Sequence, residues 1–308
     1  MTSTTRQGRR GAFNAPRRPR RFHPTWHFWF ALPAIILVLA FFLVPFLANA
    51  GFAFTQWTAY SSDITWNGFE NFRTLADLGV LGHAVLITLV YAAVSMLVQN
   101  VGGLFLANAL QEPTRVNNVF RAVFFIPVLV SGLAAGYIWA ALLAAQGPLN
   151  QFLSAILPGG FVYSWLGNPV SALVAVAFVD AWKWVGLAMT VYIAGLNAIP
   201  KQLFEAAALD GAGPWRRFWK VKVPLLAPAF SFNVVIGIVG ALSSLDIIFA
   251  ATGGGPGDAT TVLQVASYRQ YGQGLFGTAS ALSLVIAVIG VVIAIPLISA
   301  LRRREVRL

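Results

Sequence analysis

Asp180 and Lys183 lie three residues apart inside an otherwise apolar stretch, with Trp182 and Trp184 beside them. A third charge, Asp246, closes another apolar stretch further on. A spacing of three puts Asp180 and Lys183 on one face of a helix, where the expected arrangement is a pair. A charge at the centre of a bilayer costs about 2.5–3.5 kcal/mol, so both should face protein or water rather than lipid. Such a set can form a structural ion pair, or it can line a solute path. In the second case carboxylate and ammonium bind hydroxyls, and indole rings stack on the C–H faces of a sugar.

Covalent chemistry has little to work with. The chain has no Cys, hence no thiolate nucleophile or thiolate metal site, and its three His (His23, His27, His83) are scattered. No catalytic residue and no metal ligand set is expected. A P-loop needs Gly-Lys followed by Ser or Thr to cradle phosphates, and no Gly-Lys dipeptide occurs. The Gly-rich run from Thr252 to Thr261 has no Lys and reads as a tight turn. If ATP drives this protein, another chain binds it.

The elements that must hold these charges are membrane helices. Of the 308 residues, 58% are hydrophobic and 10% charged, where a soluble domain carries roughly 25% charge. Six runs are long enough to cross a hydrocarbon core, near Trp29 to Phe54, Ala84 to Leu110, Ala122 to Ala145, Val170 to Ala198, Leu225 to Leu245 and Leu275 to Leu301. All but the fourth are free of charged residues. Continuously apolar runs exclude a barrel, so the expected fold is an all-α bundle of six spans. Gly132 with Gly136, and Gly103 with Ala107, are small-xxx-small pairs that let helices approach closely.

Orientation follows from the basic residues. With both termini in the cytoplasm, all Lys and Arg fall in inner segments except Arg73, Lys183 and Arg269. Residues 1–28 read as a disordered basic tail and 302–308 as a second, flanking a membrane domain over 29–301. The Arg-rich N-terminal run reads as a topology anchor that can touch anionic lipid, not as a nucleic-acid arm or a cleaved signal peptide.

One inner loop, residues 199–224, needs its own account. It holds five basic residues from Lys201 to Lys222, Glu205 and Asp210, and a break at Gly211, Gly213 and Pro214. Pro200 suits the start of a short helix, and the glycines end it. In a second short helix Trp215, Phe218 and Trp219 share a face suited to the membrane interface. The first helix offers Leu203, Phe204, Ala207 and Ala208, a narrow surface for a partner's cleft.

The stretch EAAALDGAGPWRRFWKVKVP resembles the cytoplasmic EAA loop of binding-protein-dependent ABC importer permeases. Glu205, Ala206, Ala207, Asp210, Gly211, Ala212, Phe218, Val223 and Pro224 fall on that pattern, although the family more often ends it with Leu-Pro. GFENF (Gly68 to Phe72), AGLNAIP (Ala194 to Pro200) and DIIFAATGGGP (Asp246 to Pro256) resemble the carbohydrate branch, and within it the first of two maltose-type permeases.

The resemblance implies a type I importer permease fold in a bacterial inner membrane. It implies a second homologous permease, two ATP-binding subunits and an extracytoplasmic substrate-binding protein as partners. ATP and Mg would sit on the ATPase, with no cofactor on this chain. Glu205, Ala206, Ala207, Asp210, Gly211, Ala212, Phe218 and Pro224 would couple it to that ATPase, and Asp180, Trp182, Lys183, Trp184 and Asp246 are the candidate solute path. The alternatives are a permease for glycerol 3-phosphate or another non-sugar solute, and an ion-coupled secondary carrier. The carrier fits less well, because few ionisable residues lie inside the membrane and no internal repeat is evident.

Overall fold

A computed structural model of the chain describes residues 25–157 and 160–302. Most of the two expected basic tails therefore lies outside the described residues. The first described helix runs from Thr25 and so includes the last residues of the segment expected as tail.

The chain divides into two compact units at Leu47 and Ala48. In the first, α1 (Thr25–Val38) passes through a π-turn (Leu39–Leu43) into α2 (Val44–Phe52), whose end belongs to the second unit. Pro45 cannot donate the next rung, and just before it Val44 N–H reaches back to the Leu39 carbonyl.

In the second unit α3 (Glu70–Asp77) leads into the long α4 (Val80–Leu110). The chain continues with α5 (Arg115–Leu129), α6 (Gly132–Leu142), α7 (Pro148–Ile156) and the long α8 (Pro169–Asn197). The loop elements are α9 (Lys201–Leu209), α10 (Pro214–Arg217), a second π-turn (Phe218–Lys222) and α11 (Val223–Leu225). Then follow α12 (Ala227–Leu242), α13 (Asp246–Thr252), α14 (Leu263–Gly272) and α15 (Phe276–Arg302). The second π-turn repeats the logic of the first: Val223 N–H bonds the Phe218 carbonyl, immediately before Pro224.

The protein is an all-α, multi-pass membrane protein, but its spans are not six rods. Among the described residues four helices are long and apolar enough to cross a bilayer, within Phe30–Phe52, Val80–Leu110, Pro169–Asn197 and Phe276–Ala300. Six are reached only if two bent pairs count as spans: α5 with α6, bent by 102°, and Pro214–Leu225 with α12, bent by 65°. The run from Ala122 to Ala145 was expected to be one helix. It breaks because Val130 is extended (ψ 136°) and Ser131 caps a new helix, accepting from Ala134 N–H at 3.2 Å.

Helix α8 is central. Gly103 on α4 approaches it so closely that a Cβ there would stand 2.7 Å from Ala188 Cβ, and Ala107 is fully buried. Gly136 on α6 meets α13, where a Cβ would lie 2.6 Å from Ala250 Cβ. Both small-residue pairs are packing devices, as expected. Leu97, Phe105, Val119, Ile126 and Val292 stay exposed, the apolar exterior a lipid-facing bundle requires.

Candidate functional site

Two helix breaks meet one face of α8. The first is Val130–Ser131, between α5 and α6; the second is Ser243–Leu245, between α12 and α13. Between them lies a cavity of about 260 Å³ whose wall includes Ser131, Asp180, Lys183, Trp184, Ser244 and Asp246. Four of the five residues expected on the solute path thus share one cavity. Trp182 does not line it: its ring packs edge-on against Trp139 of α6, with centroids 5.4 Å apart.

The expected pairing of Asp180 with Lys183 is replaced by something else. Neither residue takes part in an ion pair within 4.0 Å among the described residues. Asp180, 5% exposed, accepts a hydrogen bond from Ser95 Oγ of α4 at 2.6 Å. Lys183, 6% exposed, donates from Nζ to the Val128 carbonyl at 3.1 Å and lies 4.4 Å from the ring centroid of Trp184. The reason is the break itself. The last carbonyls of α5 have no rung to accept, and an unsatisfied polar group in an apolar interior costs several kcal/mol. Lys183 supplies the missing donor. The second break is tied through a side chain instead, with Tyr91 Oη and Ser244 Oγ hydrogen-bonded at 2.9 Å.

Asp246 opens α13 and stands against Gly132, the first residue of α6. A Cβ at 132 would lie 2.7 Å from Asp246 Cβ. The cavity therefore holds two carboxylates against one ammonium, together with a serine pair and an indole. Tyr91 and Ser95 were missed by the sequence reading, although a signal existed. Thr88, Tyr91, Ser95 and Gln99 are all buried and recur at helical spacing through an apolar helix, a polar stripe aimed inward.

On the basic side of the bundle the loop over 199–224 folds largely as its residues dictate. Helix α9 presents exposed Leu203, Glu205, Ala206 and Ala208, with Ala207 half-buried and Leu209 90% exposed. Asp210 is the C-cap, and Gly211 follows in the left-handed conformation (φ 73°). Its N–H bonds the Ala208 carbonyl at 3.0 Å, and Ala212 N–H bonds the Ala207 carbonyl at 2.9 Å, the pair of bonds of a Schellman stop. Phe218 is half-buried and packs edge-on with Trp219, centroids 5.2 Å apart, before Pro224 ends the π-turn.

Two basic residues counted only toward orientation have structural work here. Arg121 caps the C-terminal end of α4, reaching the carbonyls of Leu110 at 2.5 Å and Gln111 at 2.8 Å. Lys222 bonds Asn108 Oδ1 at 2.7 Å and Gln111 Oε1 at 3.2 Å, tying the loop to α4. On the opposite side Asn71, within GFENF, is buried and donates to the carbonyls of Ala53 at 2.8 Å and Thr55 at 2.9 Å.

Comparison with known proteins adds the following. The family described as binding-protein-dependent transport system inner membrane component matches residues 99–307. The multiple sugar-binding transport system permease protein MsmF of Streptococcus mutans is 31% identical, covering 91% of this chain and 97% of its own. The sn-glycerol-3-phosphate transport system permease protein UgpA of Brucella abortus is 34% identical, covering 83% of this chain and 88% of its own. A chain of a bacterial ABC transporter involved in the import of the acidic polysaccharide alginate has a similar structure. Its TM-score is 0.77 at 25% identity, over 90% of this chain and 96% of that one.

Proposed function

The chain belongs to the family of binding-protein-dependent transport system inner membrane components, and we propose that its own task is to pass a neutral sugar or sugar-like solute through the membrane. The observation that carries this is the cavity between the two broken helices. It offers Asp180, Asp246, Lys183 and Ser244 for hydroxyls and the Trp184 ring for a C–H face. It lies beside backbone breaks, the one place where irregular chain is tolerated at membrane depth.

The work is conformational rather than covalent. An extracytoplasmic binding protein delivers solute, a second homologous permease completes the path, and two ATP-binding subunits hold ATP and Mg beneath α9. This chain binds no cofactor. Closing of the ATPase pair moves α9 as a lever, and the spans alternate access in a bacterial inner membrane. The exposed apolar and small residues of α9, stopped sharply at Gly211, support that role.

A second reading, glycerol 3-phosphate, draws on the likeness to a permease named for that solute. Charge opposes it. The one lysine on the cavity wall already donates to the Val128 carbonyl and two of the lining residues are acids, so a phosphate would find little fixed positive charge there.

Lys183→Met tests the proposal. Methionine keeps the length but cannot donate to Val128, so uptake by the assembled transporter should fall at least about tenfold, with insertion and basal ATP hydrolysis retained. Normal sugar uptake by an assembled variant would remove Lys183 from the path. Stronger competition by glycerol 3-phosphate than by neutral disaccharides would favour the second reading.

A further inference from the structure

A larger cavity, of about 680 Å³, lies on the basic side of the bundle between the α4–α5 turn, the end of α8 and the loop helices. Its wall carries four cations, Arg121, Lys201, Arg217 and Lys222, against one acid, Glu112. None of these charges lines the cavity at membrane depth.

The donors in it differ in what they already hold. Arg121 is spent on the carbonyls that end α4 and contributes field rather than free donors. Lys222 uses two of its three N–H groups on Asn108 and Gln111. Arg217 is different: its side chain makes no hydrogen bond among the described residues, and although its Nε is buried within the protein, the residue lines the cavity with its terminal N–H groups uncommitted. Those terminal groups of a guanidinium match the oxygens of a phosphate. Lys201, exposed on the first turn of α9, completes one side of the opening.

We propose that this cavity binds a phosphate group, donated by an anionic phospholipid of the cytoplasmic leaflet or present free in solution. Arg217 is the principal ligand, with Lys201 and the third N–H of Lys222 beside it. The lipid source is favoured by Trp215 and Trp219, 75% and 49% exposed on the same short helical segment, because exposed indoles settle at headgroup level. The site is anionic in preference, the opposite of the acidic cavity at membrane depth. Its position against α9 makes its occupancy a means of setting the lever's resting place.

The test uses the full-length chain in detergent, titrated in one arm with phosphatidylglycerol followed by native mass spectrometry, and in the other with radiolabelled inorganic phosphate. Wild type should retain one phosphatidylglycerol per chain, and Arg217→Gln should weaken retention about tenfold, the loss expected for a charge-assisted bond. Lys201→Gln, on an exposed helix face where packing is not disturbed, should weaken it in the same direction. Saturable inorganic phosphate binding that both variants weaken, without lipid retention, would support the site and assign it to free phosphate. Binding in neither arm, or binding that Lys201→Gln or a folded Arg217→Gln leaves at wild-type strength, overturns the proposal.

Discussion

At Asp258 a left-handed backbone (φ 63°) and a carboxylate contact coincide. Arg269 donates from Nη1 to Asp258 Oδ1 at 2.5 Å and from Nη2 to the Gly253 carbonyl at 2.6 Å, so one guanidinium closes the Gly-rich turn after α13. The turn that its glycines and Pro256 announce is there, but its clasp is an arginine from the next helix. The hydrogen bond from Arg269 holds the Asp258 carboxyl below its ordinary range. A depressed carboxylate contributes stability above its unfolded pKa and loses it as pH falls through the lower folded value. Hydrogen exchange over residues 253–262 should therefore keep its protection down to about pH 4 and lose it below. Asp258→Asn, which tolerates the left-handed backbone, should be less protected at neutral pH and show no such step. A step that persists in the variant would assign it to another group.

At the scale of elements, the decisive one is α9 with its stop. Beyond its two chain neighbours, no atom of the described residues lies within 4 Å of a Cβ built on Gly211, so a side chain there meets a backbone penalty of about 1–3 kcal/mol and whatever partner covers the loop. Gly211→Val and Glu205→Lys should leave the chain inserted yet abolish uptake, through failed ATPase docking or uncoupled hydrolysis. Gly211→Asn separates the causes: recovery of uptake points to the backbone, and failure like Val points to the partner surface. Wild-type uptake by both Val and Lys variants at equal expression would place the coupling elsewhere. This element was legible because its determinants are local, Pro200 before it, alanines within it and Gly211 after it. The break of α5 from α6 was less so. Pro127, Ser131 and Gly132 stood in the sequence, but uniform apolarity from Ala122 to Ala145 made one rod the simpler reading. The partner of Lys183 could not be read at all, since Val128 accepts through its main chain from 55 residues away.

At the scale of the whole molecule, the cavity at membrane depth and the cavity beside the loop helices differ in the charged residues that line them. The acidic one lies between broken helices, and the basic one lies under the inner loop. Reporter fusions should place Asp63 and Asp258 outside and Glu112 and Asp210 in the cytoplasm; a cytoplasmic reading at Asp63 or Asp258 would overturn the orientation. The bond from Lys183 to Val128 has one more consequence, for the record that mutation leaves. Its acceptor is a carbonyl that every amino acid carries, so any apolar residue at 128 preserves it, whereas at 183 only a long donor can. A saturation scan would mark one end of this contact as intolerant and the other as permissive, and covariation between them would be silent. The clasp at the heart of the membrane domain is thus invisible to methods that look for paired substitutions.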